Sequence, residues 1–131
     1  MFSSRSLRNT ITRVSDCLFV YGSLRSGFDN PFAKFLHEKA VLVGHATVRG
    51  SIYLVGKYPG YRQEPDGIVR GEVWRMGNAE AVLAILDDYE GSEYRRILIP
   101  TSIPGITASI YVYPGEVKEE SRIQSGDFLD R

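Results

Sequence analysis

An apolar run that stops dead in glycines constrains this chain more than anything else in it. Leu18-Phe19-Val20-Tyr21 is followed at once by Gly22-Ser23-Leu24-Arg25-Ser26-Gly27. Alternation along a strand sends Cys17, Phe19 and Tyr21 to one face and Leu18 and Val20 to the other. Both sets are apolar, so this strand needs cover on both faces and belongs in the middle of a sheet. Gly22 and Gly27 then allow a bend that side chains would obstruct. Such a turn frees backbone N–H groups that need acceptors. A ligand carboxylate or carbonyl oxygen in a backbone nest is one natural acceptor, and a purely structural turn is the alternative.

The remaining residues bound what can surround that strand. The chain has 131 residues, enough for one domain to bury a core without disulfides. It carries 16 basic and 16 acidic side chains, which gives no support for nucleic acid as a partner. No apolar run is long enough to span a membrane. The single cysteine, Cys17, excludes an internal disulfide and a thiolate-rich zinc site, and it favours a reducing, cytoplasmic setting. Residues 1–15 stand apart, with Arg5, Arg8 and Arg13 and no acid. They read as an N-terminal arm ahead of a domain at 16–131; their composition also resembles an organelle transit segment.

Beyond the turn, Asn30-Pro31 predicts a helix start, with the helix ending near His37 and Phe32, Phe35 and Leu36 on its apolar face. Strands are expected over 40–49 and 51–55. Tyr58-Pro59-Gly60-Tyr61 reads as a loop, and Asp66-Gly67 as a hairpin signal before a strand over 68–76. The clearest helix is Ala79 to Tyr89, capped by Asn78, with Val82, Ile85, Leu86 and Tyr89 as its apolar stripe. Further strands are expected over 94–100 and 106–113. The tail Ser125-Gly126-Asp127-Phe128-Leu129 has two apolar anchors for docking on the body. About six or seven strands with two helices that do not alternate with them predict an α+β fold, a mixed sheet or small barrel.

Candidate chemistry concentrates at the helix end Asp87-Asp88-Tyr89-Glu90-Gly91. Three carboxylates there oppose the helix dipole and one another, so at least one should have a raised pKa suited to a general base. The alternative is a solvated acidic end paired with Arg95 or Arg96. Gly22 and Gly27 have the spacing of a phosphate-binding loop, but Phe28-Asp29 replaces its Lys-Ser/Thr. Ser23 lies outside G-x-S-x-G and reads as a turn residue or substrate donor. His37 and His45 lack a metal-ligand spacing, and Cys17 reads as core. Tyr94, Tyr111 and Tyr113 could line a pocket.

Taken together, Phe19-Val20-Tyr21-Gly22-Ser23-Leu24, Val69-Arg70-Gly71-Glu72-Val73-Trp74, and Leu86-Asp87-Asp88-Tyr89-Glu90-Gly91 followed by Tyr94-Arg95 resemble the gamma-glutamylcyclotransferase-like family. Tyr58-Pro59-Gly60 and Ser125-Gly126-Asp127-Phe128 are similar to its proline loop and to the tail of its small bacterial members. The resemblance spans residues 17–129 and implies a compact mixed β-barrel with flanking helices. It implies conversion of a small-molecule gamma-glutamyl amine or amino acid to 5-oxoproline and a free amine, with no metal or organic cofactor. It assigns Glu90 as general base and Tyr21, Gly22, Ser23 and Leu24 as the substrate loop; Tyr94 and Tyr113 are the accompanying substrate-binding candidates. Some members lack the glutamate, so a non-catalytic metabolite-binding or regulatory module of the same fold is the alternative.

Overall fold

The computed structural model describes residues 15–131. The expectation of an N-terminal arm therefore falls, apart from Ser15, outside the described residues. Among the described residues, seven strands and two α-helices run in the order β1 (Cys17–Val20), α1 (Pro31–Lys39), β2 (Ala40–Arg49), β3 (Ser51–Val55), β4 (Tyr58–Arg62), β5 (Ile68–Met76), α2 (Ala79–Glu90), β6 (Arg95–Pro100) and β7 (Thr107–Val112). Two 3-10 turns, at Glu119–Ser121 and Phe128–Asp130, mark the tail. The strands form one curled sheet in the order β2-β5-β1-β7-β4-β3, with β6 on the other side of β7. Its end strands β2 and β3 do not pair, so the α+β architecture is a half-barrel. Among the described residues, no helix is long and apolar enough to cross a membrane.

β1 lies in the middle, antiparallel to β5 from Cys17↔Arg75 to Val20↔Glu72 and parallel to β7 at Leu18↔Ser109. Its two faces feed two cores, as the unbroken apolar run requires. Cys17, Phe19 and Tyr21 point into the barrel with Ile52, Tyr61, Val69, Val73 and Ile110. Leu18 and Val20 point outward, where Leu36 of α1 and Val82, Leu83 and Leu86 of α2 cover them. Each such side chain taken fully out of water contributes about 2 kcal/mol. β1 is thereby clamped from both sides, and the turn after it starts from a fixed point.

Three local expectations are corrected. Tyr58–Arg62 is a strand, not a loop, paired antiparallel with β3 across the two-residue turn Gly56-Lys57. Proline is tolerated at Pro59 because β7 joins β4 only further along, at Tyr61↔Val112, so Pro59 needs no second ladder. Asp66-Gly67 does not close a hairpin: β4 pairs with β3 and β7, whereas β5 pairs with β1 and β2. Along α2, Leu83 is buried while Ile85 stays 45% exposed, so the helix leans to the Leu83 side of the stripe. The first helix runs on to Lys39, and Ala33 and Leu36 are its fully buried residues.

Candidate active site

The first half of the glycine turn is bolted down by its carbonyls, leaving the amides of Gly22, Ser23 and Leu24 free among the described residues. Arg25 N–H donates to Gly22 O at 3.1 Å. Asn30, the cap of α1, accepts from Ala33 N–H at 2.9 Å and donates from Nδ2 to Ser23 O at 2.9 Å. His37 donates from Nε2 to Leu24 O at 2.9 Å while its ring stacks on Trp74, centroids 4.4 Å apart. His37 is thus a satisfied structural histidine, and His45 is exposed on β2. Among the described residues, the N–H groups of Gly22, Ser23 and Leu24 meet no acceptor. Pro59 presses on the turn from β4: a Cβ on Gly22 would lie 2.9 Å from Pro59 Cγ.

Tyr21 and Leu24 contribute mainly backbone. The Tyr21 hydroxyl is consumed in the core, donating to Tyr111 O at 2.7 Å and accepting from Tyr61 N–H at 3.1 Å. Burial, and then the charges of Tyr94 and Glu90, push its phenol well above the ordinary range. The Leu24 side chain is buried beside α1 and α2. Ser23 Oγ reaches across to the Tyr89 hydroxyl at 3.2 Å, which links the turn to the last turn of α2.

That helix end resolves its crowded charges by dividing them. Asp87 accepts from Arg96 through both carboxylate oxygens, each at 3.0 Å, and from the Tyr111 hydroxyl at 2.7 Å. Burial alone would raise the Asp87 pKa, but the Arg96 and Tyr111 hydrogen bonds outweigh it and hold the carboxyl below its ordinary value. Glu90, one turn on, accepts no hydrogen bond among the described residues. Burial, reinforced by the Asp87 charge, pushes Glu90 up to about 7. Gly91, with φ 82°, closes the helix by donating to Asp87 O at 3.0 Å.

Turn and helix end face one cavity of about 280 Å³, lined by Tyr21, Gly22, Ser23 and Leu24 on one side and Glu90 on the other. Tyr94 forms part of the wall, with its hydroxyl donating to Pro59 O at 3.2 Å. Tyr113 is placed behind that wall, its ring 5.5 Å from Tyr94 and not on the cavity surface. Tyr111, a pocket candidate from the sequence, lines the cavity, and so do Tyr89, Tyr58 and Glu93, which were not selected as site residues. Tyr89 had a signal, since it directly precedes Glu90, and so did Tyr58, in the stretch similar to the family's proline loop; Glu93 had none. Among the described residues, the wall carries two carboxylates, Glu90 and Glu93, and no lysine or arginine. The groups it offers an anionic ligand are backbone N–H groups and hydroxyls. Among the described residues, no group of three or more His, Cys, Asp or Glu could hold a metal ion.

The class of molecule is thus a half-barrel whose central strand ends in a turn with open amides, facing a glutamate on a flanking helix across one cavity. The sequence pattern described as gamma-glutamyl cyclotransferase, AIG2-like, matches residues 18–130, and the chain belongs to that family. It is 41% identical over 117 residues to the Escherichia coli gamma-glutamylcyclotransferase family protein YtfP, covering 87% of this chain and 96% of the relative. The solution structure of E. coli ytfP, 39% identical, superposes with a TM-score of 0.65 over 88% of this chain and 97% of its own. The crystal structure of an AIG2-like protein from Mus musculus shares the fold at 23% identity, with a TM-score of 0.67 over 83% of each chain.

Proposed function

We propose that this protein is a gamma-glutamyl cyclotransferase that converts a gamma-glutamyl amine or amino acid to 5-oxoproline and a free amine, with Glu90 as the general base. The observation that carries this reading is the shared cavity: unpaired turn amides on one side, and on the other a carboxylate with its pKa near 7. The substrate supplies its own nucleophile. Glu90 takes a proton from the α-ammonium, and the freed amine attacks the γ-carbonyl carbon to close a five-membered ring. The oxyanion accepts hydrogen bonds from the Gly22–Leu24 amides, or these amides hold the α-carboxylate. Glu90 returns its proton to the departing nitrogen as the C–N bond breaks, and the second proton of the ring nitrogen passes to the released amine, leaving a lactam N–H and an ammonium without any protein nucleophile. A folded substrate has little orientation left to lose, so the ring closure is fast once it is gripped. Tyr94 completes the wall, and Tyr113 backs Tyr94 rather than touching substrate.

The test is incubation with gamma-glutamyl amines and amino acids and assay for 5-oxoproline. Binding without turnover across the panel would replace the enzyme by a metabolite-binding module.

The same reading fixes a pH dependence. A base must be unprotonated, so kcat/KM should fall on the acid side of a limb near pH 7. Asp87→Asn removes the negative charge that helps raise Glu90 and leaves Arg96 unpaired nearby. Its limb should move to lower pH in a full pH–rate profile. An unmoved limb, or one moved to higher pH, would assign it to another group.

A further inference from the structure

We infer that Asp127 in the C-terminal tail positions the substrate turn through Arg25 and Glu72, so that the tail is a working part of a site it never touches. The inference rests on the gamma-glutamyl reading of the cavity. Arg25 and Ser26 form the second half of the turn, and their surroundings are unusual. The Arg25 side chain is only 6% exposed, although it ends in a guanidinium. Nη1 donates to Asp127 Oδ1 at 2.9 Å, and Nε lies 3.8 Å from Glu72 Oε2 with no hydrogen-bond partner of its own. Glu72 is 1% exposed and sits on β5. It accepts from Ser26 N–H at 2.7 Å, from Ser26 Oγ at 2.6 Å and from Trp74 Nε1 at 3.0 Å. One buried cation thus bridges a sheet carboxylate that grips the turn to a tail carboxylate 102 residues further on.

The tail is equally fixed at its own end. Gly126 O accepts from Arg70 N–H at 2.8 Å. Gly126 has φ +73°, and a Cβ there would lie 2.0 Å from Ile68 O, so only glycine brings the tail this close to β5. Asp127 Oδ1 also accepts from Leu129 N–H at 2.9 Å, capping the last turn, while Phe128 is buried in the barrel. The carboxylate is held in place before it meets Arg25. A charge pair between fixed ends inside a protein sets position, because removing one partner leaves the other buried and uncompensated. Here the group displaced would be Arg25, which directly follows Leu24 and whose own N–H closes the Gly22–Leu24 nest onto Gly22 O.

Asp127→Asn tests this. It preserves shape and the Leu129 cap but removes the charge facing Arg25. We expect kcat/KM to fall about 10- to 100-fold, mainly through KM, with the acid limb of the pH profile unmoved because Glu90 is untouched. Asp127→Glu, which keeps the charge at altered reach, should fall between wild type and Asp127→Asn and serves if the latter does not fold. Ile123→Ala, which hollows the same tail without touching Arg25, should lower Tm and leave KM unchanged. Amide 1H–15N spectra of the free proteins give a second readout. Asp127→Asn should shift Gly22, Ser23, Leu24 and Ser26, and Ile123→Ala should not. Unchanged KM and unchanged turn amides in Asp127→Asn would overturn the inference. If wild type turns over no gamma-glutamyl compound, the function is wrong, and the spectra alone decide whether Asp127 positions the turn.

Discussion

Glu90→Gln is expected to lower kcat for 5-oxoproline formation by roughly 1000-fold, within the range general acid–base catalysis contributes. The amide matches the carboxylate in size but neither takes a proton from the substrate ammonium nor returns one to the leaving nitrogen. The substitution should also stabilise the protein under alkaline conditions. Glu90 has a folded pKa of about 7, above its ordinary 4.5. The folded state therefore binds this proton more tightly than the unfolded state. Below the unfolded value both states are protonated, and the residue costs nothing. As pH rises through the folded value, ionising Glu90 in its half-buried site lowers stability. Glutamine mimics the neutral form at every pH. Thermal unfolding should therefore show a higher Tm for Glu90→Gln at about pH 8, with the gap closing towards about pH 4. An inactive variant with no stability gain at alkaline pH would mean that Glu90 is not held against solvation. A fully active variant would remove it from the mechanism.

The central strand and its glycine turn were legible because the determinants are local. Five consecutive residues, Cys17 to Tyr21, are apolar, and no placement other than between two cores satisfies both faces. The acidic helix end was legible in part. Crowding of Asp87, Asp88 and Glu90 predicts that some carboxylate is raised, but not which. That choice is made by Arg96 and by the Tyr111 hydroxyl, the latter 24 residues away, both of which settle on Asp87. Pairing with Arg96 and a raised carboxylate, posed from the sequence as alternatives, are both present, one on each acid.

What the sequence hid is held by distant partners. Pro59-Gly60 has the local chemistry of a turn, and it became a strand because β3 supplies its ladder. Glu72 sits in a strand where alternation is imperfect, and nothing near it predicts that it would accept from Ser26, 46 residues earlier. Tyr113 was a plausible pocket residue because tyrosine brings an apolar body with a polar tip. β7 ends at Val112, however, and the Tyr113 ring folds over Gly60 and Gly115, where added Cβ atoms would lie 3.1 Å and 2.7 Å from it. Local pattern thus gives the elements, and contacts between elements decide which polar side chains remain unpaired.

Gly71→Ala should be the most damaging single-methyl change in the sheet. Gly71 lies in β5, opposite Ala46 of β2 and beside the end of β1. A Cβ there would lie 2.3 Å from Val20 O and 2.6 Å from Phe19 Cζ. Neither neighbour can yield cheaply. The Val20 carbonyl belongs to the backbone of a strand clamped on both faces, and the Phe19 ring is 1% exposed within the barrel. Overpacking of this kind costs roughly 3 kcal/mol when backbone must move. For a domain of this size that corresponds to a fall in Tm of roughly 10 °C. The damage should not stop at stability, because Val20 is the last residue before Tyr21 and the turn. Moving its carbonyl tilts the Gly22–Leu24 amides relative to Glu90, which stays on α2. The folded fraction of Gly71→Ala should therefore show a reduced kcat/KM with an unshifted acid limb, measured well below its Tm. A variant that melts like wild type would contradict the close approach of β1 and β5. A destabilised variant with full activity would show that the turn keeps its geometry independently of the strand that leads into it.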